Sequence, residues 1–532
     1  MLDSVVCWVV DVVVIIGLCF QMFFRTFASS NNQSRICMKN LHRLIWIFVL
    51  VLICNVSCRK DDLSPTLVSQ FVFDGMSVYY FWDERVHGRA PRATDTDAKR
   101  YFRSLLHPID TRNGWSWITD DVDALLRNFA GESARAFGFV PITIHFQSTG
   151  RFEGFVRYVY PGTAAEKAGI VRGDIIIAVN GVPLNDSNRH LMFDADAKTT
   201  FTVLNQHRQN RREVTITPVS FSANPVLHSS VHRIDGRVIG YLFYTAFRSN
   251  FNESLFEAFR KFQQENVTDL VLDLRYNLGG DLSAALYLAS MIAPRTEVES
   301  GAIFTTLEFN QLINNRFSRE GRNRRLSAYC DDFSNPIDAN LNINRVHIIA
   351  TRHSASASEL TIFCLRPFMG ENNVVHIGEN TSGKYTVSWT VHAFDNLEGR
   401  AQRVRDPSRF TAAEQEELRN WAMQPIVGQY TDRNGRDFIA EGTLRPDVPV
   451  QSQIFTPELW KPIGDENDYL FSKAISLITG RPHTTATRSA SDRQLIGTPL
   501  LSPQETLLRR AVNVDNMEIE PEMWQKMLES LR

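Results

Sequence analysis

The sequence predicts an α/β core that follows a helical region and a β-rich region. Three observations predict this order. Apolar residues recur at helical spacing in residues 66–86, short alternating strands fill 137–220, and buried strands alternate with helices from residue 237 on. We therefore divide the chain into an N-terminal helical domain (59–135), a β-rich domain (136–222), the α/β core (223–481), and a flexible linker and tail (482–532).

Composition and charge exclude several classes of protein. The 532 residues are 43% hydrophobic and 22% charged, which is ordinary for a folded globular chain. The net charge is −2, whereas nucleic-acid-binding proteins usually carry an excess of basic residues, so we expect no nucleic-acid partner. Five of the seven cysteines precede residue 59, and neither CxxC nor HExxH occurs. We therefore expect no disulfide framework, no metal and no cofactor.

The amino terminus carries a signal for export. Met38 is followed by basic residues and then by the apolar run 44–53, which is short for a membrane span and typical of a signal peptide. The predicted signal peptide ends in Asn55-Val56-Ser57-Cys58, which resembles a bacterial lipobox, in which the cysteine after a small residue is lipidated. We expect 38–58 to be a lipoprotein signal peptide and 1–37 to be a mis-called extension. A two-span membrane anchor is the alternative.

The helical spacing at 66–86 predicts a first helix, and short helices are expected in 97–130. The β-rich domain follows. The side chains of residues 154–160 alternate in the way that predicts a strand. Residues 161–169 predict a short helix that ends at a glycine. Residues 171–181 predict a buried strand that ends in an Asn-Gly turn. This stretch resembles a bacterial PDZ domain. The resemblance implies that the loop of Phe137, Gly138 and Phe139 binds a peptide carboxylate and that the peptide adds as a strand. A small β domain without a ligand is the alternative.

The core region shows the strand–helix rhythm of an α/β fold. An amphipathic helix is expected at 251–264 and a second at about 282–293. Residues 310–343 are polar and irregular, so we expect an exposed insertion there. A short amphipathic helix is expected in the tail at 519–531. Buried strands are expected at 238–244, 270–274, 346–350 and 374–377.

The run Ser354–Glu359 (SASASE) lies between a predicted strand and a predicted helix. A hydroxyl at a helix N-terminus is close to free N–H groups and to the positive end of the helix dipole, which stabilise an oxyanion. This position suits a nucleophilic serine. Serines that begin a helix are also ordinary N-caps, so both interpretations stay open for the motif alone.

The run Gly378–Lys384 almost spells a phosphate-binding loop. Position 385 is Tyr, and residues 385–391 alternate as a strand where such a loop needs a helix. Nucleotide binding is therefore disfavoured. The alternative is that Lys384 is a desolvated amine with a lowered pKa, which acts as a general base for a nearby hydroxyl.

The run Leu272–Gly280 (LDLRYNLGG) ends a buried strand with two adjacent glycines. Glycines let the backbone approach a substrate closely and present N–H donors. A plain strand-to-helix turn is the alternative.

Together these three motifs and their order resemble the tail-specific, or C-terminal processing, serine proteases with a PDZ domain. The resemblance covers roughly 66–480 and implies a ClpP/crotonase-like α/β core. It implies that Ser356 is the nucleophile and Lys384 the general base. Gly279 or Gly280, together with Ala357, would supply the oxyanion hole. The order of domains, with the PDZ domain before the core, agrees as well.

The sequence departs from this family at two positions. Pro367 stands where some members have an aspartate, and Ser388 stands where a glutamine commonly positions the lysine amine. The expected function is a serine endopeptidase that cleaves exported proteins near their free C-termini, lipid-anchored in the bacterial cell envelope at the outer membrane. The alternative is a lipid-anchored PDZ protein with an inactive protease core. What orients Lys384, the membrane face and the oligomeric state stay open.

Overall fold

The computed structural model describes residues 65–130, 132–193, 196–317, 323–327, 334–394, 397, 401–404, 408, 410–482, 498–500 and 512–513. The predicted extension 1–37, the signal peptide with Cys58, and the tail helix at 519–531 lie outside these residues. From Pro65 onward the chain forms one compact unit. Within the described ranges, no helix combines the length and hydropathy needed to cross a membrane.

Residues 65–130 are mainly helical, in agreement with the spacing of their apolar residues. Thr66 begins the first helix by accepting the N–H of Ser69 through its hydroxyl at 3.1 Å. The strand at residues 117–119 was not predicted, because it forms by pairing with residues 422–424, far along the chain. The elements are α1 (Leu67–Tyr79), a 3₁₀ turn (Asp83–Arg85), α2 (Ala98–Leu105), α3 (Pro108–Asn113), β1 (Trp117–Thr119) and α4 (Val122–Ala130).

Helix α1 packs directly into the main core. The ring of Tyr79 meets that of Trp389 edge to face, with centroids 5.8 Å apart. A Cβ at Gly75 would overlap the side chain of Met423, so the helix closely approaches the strand formed by residues 422–424. Side chains of helix α1 therefore contribute directly to the main hydrophobic core. The domain boundaries drawn from the sequence stay predictions.

The following region is β-rich and has a small core of its own, centred on Phe137, Phe139 and Phe201. The predicted Asn-Gly turn forms at Asn180 and Gly181, whose φ angles are 51° and 77°. The elements are β2 (Glu132–Ala136), β3 (Phe139–Phe146), β4 (Arg151–Val159), α5 (Ala164–Lys167), β5 (Ile175–Val179), β6 (Val182–Pro183), a 3₁₀ turn (Arg189–Met192), β7 (Thr199–Leu204), β8 (Arg212–Ile216) and β9 (Val219–Ser222). The larger sheet of this region has the order β3–β4–β5–β7–β8, and residues 498–500 add an outermost strand beside β3; β6 pairs with β5, and β2 with β9.

From residue 237 to 378, strands and helices largely alternate, as the sequence predicts, and strands predominate in 386–432. The strands are β10 (Val226–Ile234), β11 (Arg237–Tyr244), β12 (Asp269–Asp273), β13 (Ile303–Phe309), β14 (Asn323–Arg325), β15 (Val346–Ala350), β16 (Val374–Gly378), β17 (Thr386–Ser388), β18 (Thr390–His392), β19 (Ala401–Arg403), β20 (Ala422–Gln424), β21 (Ile426–Asp432), β22 (Val448–Pro449), β23 (Thr498–Leu500) and β24 (Val512–Asn513). The helices are α6 (Asn252–Gln264), α7 (Leu282–Ile292), α8 (Arg295–Glu299), α9 (Gln311–Asn314), α10 (Ala357–Met369), α11 (Ala412–Arg419) and α12 (Phe471–Thr479), with 3₁₀ turns at Ser249–Phe251, Pro336–Ala339, Glu371–Asn373 and Pro457–Leu459.

The central sheet has the order β10–β11–β12–β15–β16–β22. Strand β10 is antiparallel to β11, and the other neighbours are parallel. Alternate residues of β12 face opposite cores, with Leu270 and Leu272 on one side and Val271 on the other. The inner strands β11, β12, β15 and β16 are therefore buried on both faces, which explains why they are largely apolar.

Two smaller sheets complete the core, in the orders β14–β13–β21–β17–β24 and β1–β20–β18–β19. The expectation that 310–343 is an exposed insertion is wrong in part, because some of its described residues are exposed and others are buried. Ile313, Leu326 and Ala339 are buried in the main core. The polar composition of the segment concealed these isolated apolar anchors, because they follow neither a helical nor a strand period.

Candidate active site

Ser356 occupies the junction between β15 and α10, as predicted. It is fully buried and has a φ of 63° and a ψ of −113°. A non-glycine residue with such a positive φ costs of the order of 1–3 kcal/mol and persists only where its surroundings hold it. Ser356 is the N-cap of α10, and its side chain faces the backbone of Glu359. Among the described residues, its hydroxyl donates to no acceptor.

The two neighbouring serines of the motif have structural partners. Ser354 donates its hydroxyl to the carbonyl of Leu274 at 2.7 Å, and Ser358 donates its own to the carbonyl of Asn277 at 2.9 Å. Both acceptors belong to the segment Leu272–Gly280, called the glycine loop below. The flanking serines thus bind the segment around Ser356, called the serine loop, to the glycine loop. Of the three serines, only Ser356 donates its hydroxyl to no acceptor among the described residues.

The two glycines of that loop are required by their surroundings. Gly279 has a φ of 101°, and a Cβ there would lie 2.7 Å from the Ser356 Cβ and 3.0 Å from the Ala357 nitrogen. Gly280 has a φ of 144°, and a Cβ there would overlap the carbonyl of Phe247. Both positions therefore exclude a side chain, and they place the glycine loop in contact with Ser356.

The predicted oxyanion donors differ in availability. The Gly279 N–H donates to the Asn277 side-chain oxygen at 2.9 Å. Within the described part of the chain, the N–H groups of Gly280 and Ala357 have no acceptor. In this conformation Gly280 and Ala357 are the two predicted donors that remain free for an oxyanion.

Lys384 lies in the loop between β16 and β17 and is 1% exposed. Its loop contacts the serine loop, because the N–H of Ser382 donates to the carbonyl of Ser354 at 3.0 Å. The structure thus brings the predicted nucleophile loop and the predicted base loop together. Ser388 lies in β17 and Pro367 inside α10; these are the two positions at which the resemblance stated from the sequence implies a departure.

Glu359 is a residue of this site whose role the sequence analysis missed. Its Oε2 accepts the N–H groups of Ser356 at 2.7 Å and Lys384 at 2.9 Å. Its Oε1 accepts the hydroxyl of Thr381 at 2.5 Å and the N–H of Gly383 at 2.6 Å. One buried carboxylate therefore fixes the position of the serine loop relative to that of the Lys384 loop. Burial raises the pKa of Glu359 to about 7, although these hydrogen bonds oppose the rise.

A second buried acid, Asp110, interacts electrostatically with Lys384. Asp110 accepts hydrogen bonds from the hydroxyls of Tyr80 at 2.8 Å and Ser116 at 2.6 Å. Burial raises the pKa of Asp110, while these hydrogen bonds and the Lys384 charge lower it. The ring of Trp115 also meets that of Tyr385 at 5.5 Å. The N-terminal region thus reaches the surroundings of the predicted base, which the sequence alone gave no means to expect.

A buried charge cluster borders the glycine loop. Arg275 forms paired hydrogen bonds with Asp273 and with Asp468, all between 2.6 and 3.0 Å. Arg172, from the β-rich region, donates to the hydroxyl of Tyr276 at 3.2 Å and lies 3.9 Å from Asp468. The β-rich region is therefore connected through Arg172 to the loop that carries the predicted oxyanion donors.

The predicted carboxylate-binding loop lies at the start of β3, which belongs to a different sheet from the central one. Phe137 and Phe139 are buried, with ring centroids 5.9 Å apart. Gly138 has a φ of 98°, and a Cβ there would overlap Thr163. The loop is thus rigidly packed at the end of the strand edge that a peptide would use. Cys58 lies outside the described residues, and within them no group of His, Cys, Asp and Glu is arranged to hold a metal ion.

Comparisons with known proteins find three families in the chain. Peptidase family S41 matches residues 238–450, a PDZ domain matches 155–191, and the peptidase S41 N-terminal domain matches 68–117. These matches confirm the predicted resemblance to the C-terminal processing proteases and the predicted α/β fold with a PDZ domain. They do not bear on a lipid anchor.

Named relatives agree with these families. The chloroplastic C-terminal processing peptidase of Tetradesmus obliquus is 27% identical over 250 residues, which cover 44% of this chain and 48% of the relative. The carboxyl-terminal-processing protease of Synechocystis sp. is 24% identical over 324 residues, covering 60% and 63%. The chain thus spans about half to two-thirds of these relatives. A crystal structure of an S41 protease from Bacteroides fragilis shares the fold, with a TM-score of 0.61, 22% identity, and coverage of 79% of this chain and 99% of that one.

Proposed function

This chain belongs to peptidase family S41, and we propose that it is a serine endopeptidase that cleaves exported proteins near their C-termini. The observation that carries the proposal is the Glu359 carboxylate, which binds the backbone N–H groups of both Ser356 and Lys384. A nucleophile and a base on separate loops need such a link to keep a productive geometry.

The proposed reaction uses Ser356 and Lys384 as a dyad. Neutral Lys384 takes the proton of the Ser356 hydroxyl as its oxygen attacks the peptide carbonyl. The N–H groups of Gly280 and Ala357, with the N-terminus of α10, stabilise the resulting oxyanion. Lys384 then gives the proton to the leaving amine, the C–N bond breaks, and water releases the acyl group from Ser356.

The proposed substrates are proteins or peptides with a free C-terminus. The loop Phe137–Phe139 would bind the terminal carboxylate, and the residues before it would add to β3 as a strand. Support for this comes from the match to a PDZ domain and from the position of the loop at the first residue of β3.

A second candidate is a PDZ peptide-binding protein whose protease core is inactive. It is favoured by Ser388 and Pro367 at the departing positions, and by a Ser356 hydroxyl that donates to no acceptor among the described residues. Peptide binding without hydrolysis by the wild-type chain would establish this candidate.

The experiment that tests the first proposal is digestion of an unfolded protein by the purified full chain. We expect the wild type to cleave it and Ser356→Ala to leave it intact. Ser382→Ala is a matched control, because its side chain is exposed in the neighbouring loop. Equal cleavage by wild type and Ser356→Ala would contradict the proposal.

We further propose that Cys58 is lipidated and anchors the protein to the outer membrane of a bacterial envelope. The proposal depends on the basic residues, apolar run and Ser57-Cys58 of the sequence. Lipid burial contributes about 0.8 kcal/mol per CH₂, so more than one chain anchors firmly. Cys58→Ala should release an active protein from the membrane fraction. Retention of that variant after a high-salt wash would contradict the lipid anchor.

A further inference from the structure

Two short strands from the end of the chain complete sheet edges elsewhere in the fold. Strand β23 pairs antiparallel with β3, and β24 pairs parallel with β17. In both sheets the terminal strand is the outermost one. The last part of the chain thus occupies two strand edges that are built by residues far from it in sequence.

The edge of β3 is the one that a peptide ligand of the PDZ domain would use. A peptide captured by strand addition runs antiparallel to this strand, with its C-terminus toward the carboxylate-binding loop before Phe139. The tail follows the same direction, because Thr498 pairs with His145 and Leu500 pairs with Thr143. The segment therefore runs along this edge as a bound substrate would.

The edge of β17 lies beside the predicted base. Strand β17 begins at Thr386, two residues after Lys384. Its inner edge pairs with β21, and its outer edge pairs with β24, with Val387 opposite Val512. Ser356 and Lys384 are also closed to solvent, at 0% and 1% exposure. A substrate that approached the dyad by pairing with β17 would find this edge already occupied.

We propose that the C-terminal segment, through Thr498–Leu500 and Val512–Asn513, is a built-in strand ligand that competes with peptide substrates at both edges. This inference rests on the peptidase activity proposed above. Competition within the chain reduces the fraction of molecules that can bind substrate. If the segment is docked in about nine-tenths of the molecules, KM is raised about tenfold while kcat is unchanged.

The test uses the full chain with single substitutions in the two strands. Val512→Pro and Leu500→Pro disrupt strand pairing, since proline lacks the N–H and restricts the preceding residue. Val512→Ala and Leu500→Ala are matched controls that keep the backbone donor. We expect KM for an unfolded protein to fall about tenfold in the proline variants only, with kcat within about twofold of wild type. A synthetic peptide of residues 496–515 should raise KM again.

Hydrogen exchange provides a readout that does not depend on catalysis. In the proline variants, the outward-facing amides of residues 143–145 and 386–388 should exchange faster than in wild type. Faster exchange in a chain that hydrolyses nothing would support the docking and contradict the proposed peptidase. Unchanged exchange, or an equal fall in KM in the alanine variants, would overturn the built-in ligand.

Discussion

The Oε2 atom of Glu359 accepts a hydrogen bond from the backbone N–H of Lys384 at 2.9 Å. The same atom accepts the N–H of Ser356 at 2.7 Å. Because α10 begins immediately after Ser356, the first turn of this helix holds both candidate catalytic loops through one buried carboxylate. A change at Glu359 should therefore disturb catalysis without touching the substrate.

Glu359→Gln should lower kcat/KM by about 10- to 100-fold. Glutamine has one acceptor oxygen, and its NH₂ group would face N–H donors; each buried donor left unpaired costs about 1–3 kcal/mol. Steady-state kinetics on a peptide substrate measures the loss. Glu379→Gln is the control, because it loses only a partly exposed pair with Arg352, worth about 0–1 kcal/mol. Similar kinetics for both variants would contradict the positioning role.

The pKa of Glu359 predicts a pH dependence of stability. Burial raises it from 4.5 to about 7, so the folded chain holds this proton more tightly than the unfolded chain. The resulting stabilisation is complete below about pH 4.5 and is lost as pH rises through about 7. The Tm of wild type minus that of Glu359→Gln should therefore be larger at about pH 5 than at about pH 8. An opposite trend would show that the carboxylate titrates low.

Asp110→Asn should shift the acidic limb of the activity–pH profile to lower pH. A carboxylate near Lys384 favours the charged ammonium, so removing it lets the amine lose its proton more readily. Asp123→Asn, an exposed acid of the same region, is the control and should leave the profile unchanged. A shift to higher pH, or no shift, would mean that Asp110 does not influence the base.

Amidation of a substrate peptide should weaken its cleavage. The carboxylate that the loop Phe137–Phe139 is predicted to bind is absent from the amide form, while the scissile bond is unchanged. We expect a higher KM for the amide than for the acid form of one peptide. Equal kcat/KM for the two forms would indicate that the PDZ domain does not select a free C-terminus.

The strands of the core were predictable because their signal is local. Residues 346–350 are apolar except for His347, and the structure has this strand with the same bounds. The helix at 251–264 carries its apolar residues on one face and is formed over Asn252–Gln264. A strand buried on both faces, or a helix buried on one face, can be predicted from the apolar residues of the segment alone.

Features that depend on distant contacts were not predictable from one sequence. Strand β1 exists because residues 117–119 pair with 422–424. The role of Glu359 was not predicted, although the residue ends the SASASE motif. Its partners Thr381, Gly383 and Lys384 lie more than twenty positions away in the sequence. The hydrogen bond from the Gly279 N–H to the Asn277 side chain is local by contrast, and it was not predicted because the sequence does not fix the geometry of this turn.

Covalent capture of the nucleophile tests the proposed dyad most directly. The full chain would be treated with a serine-reactive fluorophosphonate near neutral pH, and the adduct located by peptide mass spectrometry. We expect one adduct on Ser356 in the wild type, none in Ser356→Ala, and strongly slowed labelling in Lys384→Arg, because arginine stays protonated and cannot act as the base. Labelling of Ser354 or Ser358 in place of Ser356, or equal labelling of wild type and Lys384→Arg, would contradict the Ser356–Lys384 dyad.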